Sequence, residues 1–145
     1  MVIPKKQKLI MKKGTSFSKI ERRTITLGYL WNYGFWLIPF LTWIGAFLIC
    51  SLTDATAEVA ERISFLFFGI ALIFVGLYDI IGTVLEFKHI HISAQLGDKF
   101  RYPNPRRRWT IEEKKDYIFT GSIWAIIGLI CIIACVLDKL DIIAL

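Results

Sequence analysis

Asp79 is the residue whose position demands most of its surroundings. It is the one acid set within the apolar stretch Ile63 to Glu86, ISFLFFGIALIFVGLYDIIGTVLE. A charged carboxylate inside a bilayer costs on the order of 2.5–3.5 kcal/mol on insertion scales. Two resolutions are open: it is protonated, or other helices donate hydrogen bonds to it. Intramembrane acids mark ion and proton paths, but a single acid on a short chain fits a hydrogen-bonded clasp better. Depth along the helices selects its partners. At about 1.5 Å per residue, Asp79, Asn32, Thr120 and Ser122 lie about 5–10 Å from the ends of their apolar stretches. Thr83 and Glu86 follow Asp79 on one face, at steps of four and three. The expectation is that Asp79 faces other helices and meets Asn32 or a hydroxyl of the last apolar block, with Tyr78 as a further donor.

Other chemistry is thinner. Glu86 and His89 have the Glu-x-x-His spacing of di-iron bundles, but those require two such motifs and further carboxylates, and only one is present. His89 and His91 would share a face on a strand but not on a helix, so they are expected as solvated interfacial residues and not as metal ligands. No glycine-rich phosphate loop, GxSxG elbow or HExxH is present, so no catalytic set and no cofactor is called for. A lipid-modifying enzyme using His89, His91 and the arginines is a weak alternative. Arg106, Arg107 and Arg108 with Trp109 present a basic patch for which anionic lipid headgroups are the nearest partner. Cys50, Cys131 and Cys135 all lie in apolar blocks without metal spacing and are expected as packing residues.

The elements that must position these residues follow from the apolar blocks. Of the 145 residues, 55% are hydrophobic and the mean hydropathy is +0.54, above the soluble range. The blocks are long and free of charge, which calls for a bilayer. The chain divides into a basic segment 1–26, a first span 27–52, a connector 53–62, a second span 63–86, a basic loop 87–116, a third span 117–137 and a tail 138–145. Ser18 with Glu21, and Thr110 with Glu113, have capping-box spacing, so helices should start near Lys19 and Ile111. Pro39 should kink the first span near mid-bilayer. Asp54 is a candidate N-cap, with the alanines after it leading straight into the second span. Pro103-Asn104-Pro105 marks a turn, and Phe87, Ile90, Leu96 and Phe100 would let the loop's first half lie on a membrane surface.

Small residues recur on two faces. Gly69, Gly76 and Thr83 are seven apart, and Gly121, Ala125 and Gly128 step by four and three, so each set forms a narrow stripe suited to a close partner helix. Sixteen of the 18 Lys and Arg residues lie in segments 1–26 and 87–116. The positive-inside rule places both in the cytoplasm and the connector and C-terminus outside. The net charge of +6 is thereby a topology signal and not a nucleic-acid signal.

The fold expected is all-α: an integral membrane protein with three transmembrane helices in a small bundle, N-terminus in and C-terminus out. Lysine and isoleucine richness hints at an AT-rich bacterial source and so at the bacterial cytoplasmic membrane. The role expected is a non-enzymatic accessory or interaction subunit, with a membrane-protein partner or a second copy. The alternative is a small oligomeric transporter or channel subunit built on Asp79.

Overall fold

A computed structural model describes residues 17–97 and 103–143. Among them are five α-helices and no strand: α1 (Lys19–Gly34), α2 (Leu37–Leu52), α3 (Ala57–Val84), α4 (Lys88–Gly97) and α5 (Ile111–Ile143).

The capping boxes start the helices where the spacing puts them. The Ser18 hydroxyl accepts from the Glu21 amide at 3.2 Å, and the Glu21 carboxylate accepts from the Ser18 amide at 2.8 Å. Thr110 and Glu113 repeat this at 3.2 and 3.1 Å. Four otherwise unpaired donors are satisfied in this way.

The first apolar block is not one straight helix. α1 and α2 meet at 58° across Phe35 and Trp36. Pro39 is the third residue of α2, where a missing amide costs nothing. Its ring and lost donor act on the carbonyl four residues back, Phe35, so the chain opens there, one turn before the proline. The Ile38 amide reaches the Phe35 carbonyl at 3.3 Å instead. The kink expected at Pro39 is therefore a full break.

Thr56, not Asp54, caps α3, its hydroxyl accepting from the Val59 amide at 3.4 Å. Asp54 is displaced from that role because it takes a left-handed conformation (φ 56°) in the turn leaving α2. Glu86 does the same (φ 58°) after α3. There the Phe87 amide bonds the Gly82 carbonyl (2.7 Å) and the Glu86 amide bonds the Thr83 carbonyl (3.2 Å). This is a Schellman closure with an acid where glycine is usual. It ends α3 two residues short of Glu86 and turns the chain sharply into α4.

α3 is the centre. On one face it packs antiparallel to α5, with Gly69 against Gly128 and Gly76 against Gly121 and Ala125. A Cβ on Gly69 would stand 2.8 Å from the Gly128 carbonyl oxygen, and one on Gly121 would stand 2.7 Å from that of Gly76. The two stripes thus face each other across one interface. α2 packs elsewhere on α3, where Phe40 meets Phe68. α3 and α5 are each long and apolar enough to cross a membrane, and α1 with α2 makes a third crossing if the bent pair is one span.

α4 overturns the reading of 87–116 as a polar loop with an apolar side for lipid. Ile90, His91, Ile92, Ser93, Ala94 and Gln95 are all buried. α1 covers this helix, with Gly28 in contact with Ile92, and Ile90 fits against Gly82 of α3. The apolar side chains of α4 are therefore covered by protein. Phe100 lies outside the described residues. α1 and α4 form a two-helix cap on one end of the α2–α3–α5 unit.

Candidate functional site

The cap and the three-helix unit meet through side chains that are almost all polar or aromatic. Asp79 lies at the centre, 3% exposed. Its Oδ1 accepts from the indole Nε1 of Trp31 at 2.7 Å, joining α3 to α1. The Trp31 ring lies over Tyr78, centroids 4.6 Å apart. The Tyr78 hydroxyl is 2.7 Å from His89 Nε2, joining α3 to α4. Ser93 is hydrogen-bonded to the Tyr117 hydroxyl at 2.9 Å and donates to Asn32 Oδ1 at 3.4 Å. Residues from α1, α3, α4 and α5 thus converge on one polar cluster, buried at Asp79 and Ser93 and exposed at Tyr78.

Of the residues singled out from sequence, Asp79 and Asn32 are in this cluster, but not bonded to each other. The donor to Asp79 is Trp31, the neighbour of Asn32. Thr83 is fully buried and donates to the Asp79 backbone carbonyl at 2.6 Å, tying down its own helix. Thr120 and Ser122 bond the carbonyls of Asp116 and Ile118, so neither hydroxyl is directed to Asp79. The α5 hydroxyl nearest the cluster is Tyr117, at the start of the third apolar block.

A second cluster adjoins the first. His91, 3% exposed, places Nε2 3.2 Å from Glu113 Oε2. Arg107 pairs with the other oxygen of Glu113. Trp109 stacks on the His91 ring, centroids 4.3 Å apart, and meets Tyr117 edge-on. His91 is therefore a buried residue and not the solvated one expected. Burial holds its proton affinity below that of a free imidazole, and Glu113 only partly offsets this. Gln95 closes the loop behind it: its side chain bonds both the amide (2.8 Å) and the carbonyl (3.1 Å) of Asn104.

The arginine patch is largely engaged internally. Arg106 reaches Glu21 with two nitrogens, at 2.7 and 3.1 Å, and its guanidinium lies over Phe17. Arg106 and the Ser18 amide hold the Glu21 carboxyl down at about 2. Arg107 is on Glu113, and Arg106 and Arg108 are the exposed members of the triplet. Glu86 pairs with Lys114 and His89 with Tyr78, so the Glu-x-x-His pair is directed to different partners. Among the described residues, no three His, Cys, Asp or Glu side chains gather as a metal site would need. All three cysteines are free; Cys131 lies at the Gly69 contact, and Cys135 reaches the Arg62 carbonyl at 3.9 Å.

Sequence reasoning missed Trp31, Ser93, Gln95, Tyr117 and the His91–Glu113–Arg107 group. The signal for α4 was hidden because its apolar residues Ile90, Ile92, Ala94 and Leu96 alternate, as on a strand.

No protein-family model matches the chain, and neither a curated protein nor a solved structure is significantly similar to it.

The arrangement can hold helices in register and exclude water from a carboxylate.

Proposed function

We propose that the chain is a multi-pass membrane protein that crosses three times and serves as a non-enzymatic interaction subunit of a membrane complex. α1 and α2 are 16 residues each, or about 24 Å. At 58° the first advances about 13 Å along the axis of the second, so the pair spans about 37 Å against roughly 30 Å of hydrocarbon. The basic distribution orients it, with 1–26 and 87–116 in the cytoplasm and 53–62 and the tail outside.

The observation that carries the interaction role is the contrast between inside and outside. Buried Asp79, His91, Ser93 and Glu113 are engaged in joining helices to one another, while α2 and α5 present apolar outer faces, Leu41, Leu48 and Ile49 on one and Ile126, Ile130 and Ile133 on the other. Because Gly69, Gly76, Gly121 and Gly128 are used within the chain, a partner would meet these outer faces and not the stripes. Photo-crosslinking groups at Leu48 and Ile130, in native membranes, test this. A discrete protein adduct from one face, lost on a bulky substitution beside it, supports the role. Lipid adducts alone from both faces, with a monomer in mild detergent, would argue against it.

A transport reading has one feature in its favour, the buried carboxylate at a four-helix junction. It predicts ion or proton flux in liposomes that disappears in Asp79→Asn. The clasp reading predicts no flux with either protein.

A further inference from the structure

The outer half of α1 joins a cluster of basic residues to exposed apolar side chains. At 100° per residue, its exposed side chains fill one half of the helix circumference. The first two turns carry Lys19, Arg22 and Arg23, with Ile20, 77% exposed, at the edge of this half. The last two carry Leu27, Leu30 and Tyr33, which are 53%, 63% and 68% exposed. No acid lies on this half. The one acid of the helix, Glu21, is on the opposite side, held by Arg106. The inner side is occupied by Gly28 against α4 and by Trp31 on Asp79. Cations followed by leucine and tyrosine, on a helix tilted 58° from its continuation, match the vertical order of a bilayer edge: phosphate, then glycerol, then acyl chain.

We infer that this face of α1 is a docking surface for anionic phospholipid. Lys19, Arg22 and Arg23 pair with the headgroups, while Leu27, Leu30 and Tyr33 enter the acyl region beside them. The inference rests on the membrane reading above. It moves the lipid contact away from the arginine triplet, two of whose members already hold Glu21 and Glu113. The tilt matters to it. An upright helix deepens by about 1.5 Å per residue, whereas α1 at this angle deepens by about 0.8 Å, so cations and leucines stay within one headgroup layer of each other. Each basic residue close to an anionic surface favours association roughly five-fold, an effect screened by salt.

The test is a full-length protein with its three cysteines replaced by serine or alanine and one fluorophore attached at Leu30→Cys. It is reconstituted in phosphatidylcholine vesicles containing spin-labelled phosphatidylglycerol or, at equal mole fraction, spin-labelled phosphatidylcholine. A control fluorophore is placed at Leu48→Cys in α2. The expected result is stronger quenching at Leu30 by the phosphatidylglycerol probe. That preference should drop several-fold in Arg22→Gln/Arg23→Gln and disappear in about 1 M salt, where the Debye length is about 3 Å. Leu48 should be quenched equally by both probes. Equal quenching of Leu30 by the two lipids overturns the inference. So does a Leu30 site that neither lipid quenches while Leu48 is quenched, which leaves the membrane reading standing. Absence of quenching at both sites overturns both.

Discussion

Adding one methyl group to glycine should have opposite effects at Gly76 and Gly45. A Cβ at Gly76 would overlap the Gly121 carbonyl oxygen and stand 2.7 Å from the Ala125 amide nitrogen and 3.1 Å from Ala125 Cβ. The obstructing atoms are mostly backbone, so no side chain can swing away. To bring the nearest of these, the Gly121 carbonyl oxygen, to the ordinary 3.4 Å contact, α3 and α5 must part by about 1 Å. A gap of that size forfeits about a quarter to a half of the dispersion energy of each pair it opens. Overpacking of this kind costs about 1–3 kcal/mol, against which alanine regains up to about 1 kcal/mol of helix propensity. The net expectation for Gly76→Ala is a loss of about 1–2 kcal/mol. At Gly45, in the middle of α2, a Cβ meets nothing within 4 Å. Gly45→Ala should therefore stabilise by about 0.5–1 kcal/mol. SDS titration of the protein in mild micelles, followed by tryptophan fluorescence, measures both. If Gly76→Ala proves as stable as Gly45→Ala, the close antiparallel contact of α3 and α5 is refuted.

Because burial lowers the proton affinity of His91, the unfolded chain binds more protons than the folded one near pH 6.5, and stability should decline as pH falls through that value, then level off below the folded-state pKa. His91→Gln should reduce the decline, the remainder coming from His89, whose affinity burial lowers in the same direction. The carboxyl of Glu21 titrates near 2 in the fold, so its contribution is present above its ordinary value near 4.5 and is lost as pH falls toward 2; Arg106→Gln should raise the midpoint of acid unfolding. Asp54→Gly should raise stability by about 1 kcal/mol in the same SDS titration, because φ at this exposed position is 56° and glycine adopts it without strain.

Local signals were readable from the chain, and long-range partners were not. Ser18 with Glu21 and Thr110 with Glu113 marked two helix starts, near Lys19 and Ile111, because a capping box is closed within four positions. The apolar blocks located α3 and the body of α5, because a charge-free run has few other destinations. Pro39 marked the region of the break but not its place, since proline acts on the turn before it. The burial of α4 was hidden. Ser93, Gln95 and His91 look solvated until partners 24, 9 and 22 residues away, Tyr117, Asn104 and Glu113, satisfy them. The donor to Asp79 was missed by one residue. Depth along α1 identified the right level, but helical rotation separates neighbours by about 100°, and Trp31, not Asn32, points its donor at the acid.

The most direct test of the polar junction is a double-mutant cycle between Trp31→Phe and Asp79→Leu, read as unfolding free energy in SDS titrations. Hydrogen bonds between membrane helices average about 0.6 kcal/mol and reach about 1.7, and a 2.7 Å contact to an acid only 3% exposed places this one at the upper end. A coupling of about 1–2 kcal/mol is predicted. Additive losses, with a coupling under about 0.3 kcal/mol, would mean that α1 is not fastened to α3 through Asp79, and would contradict the account.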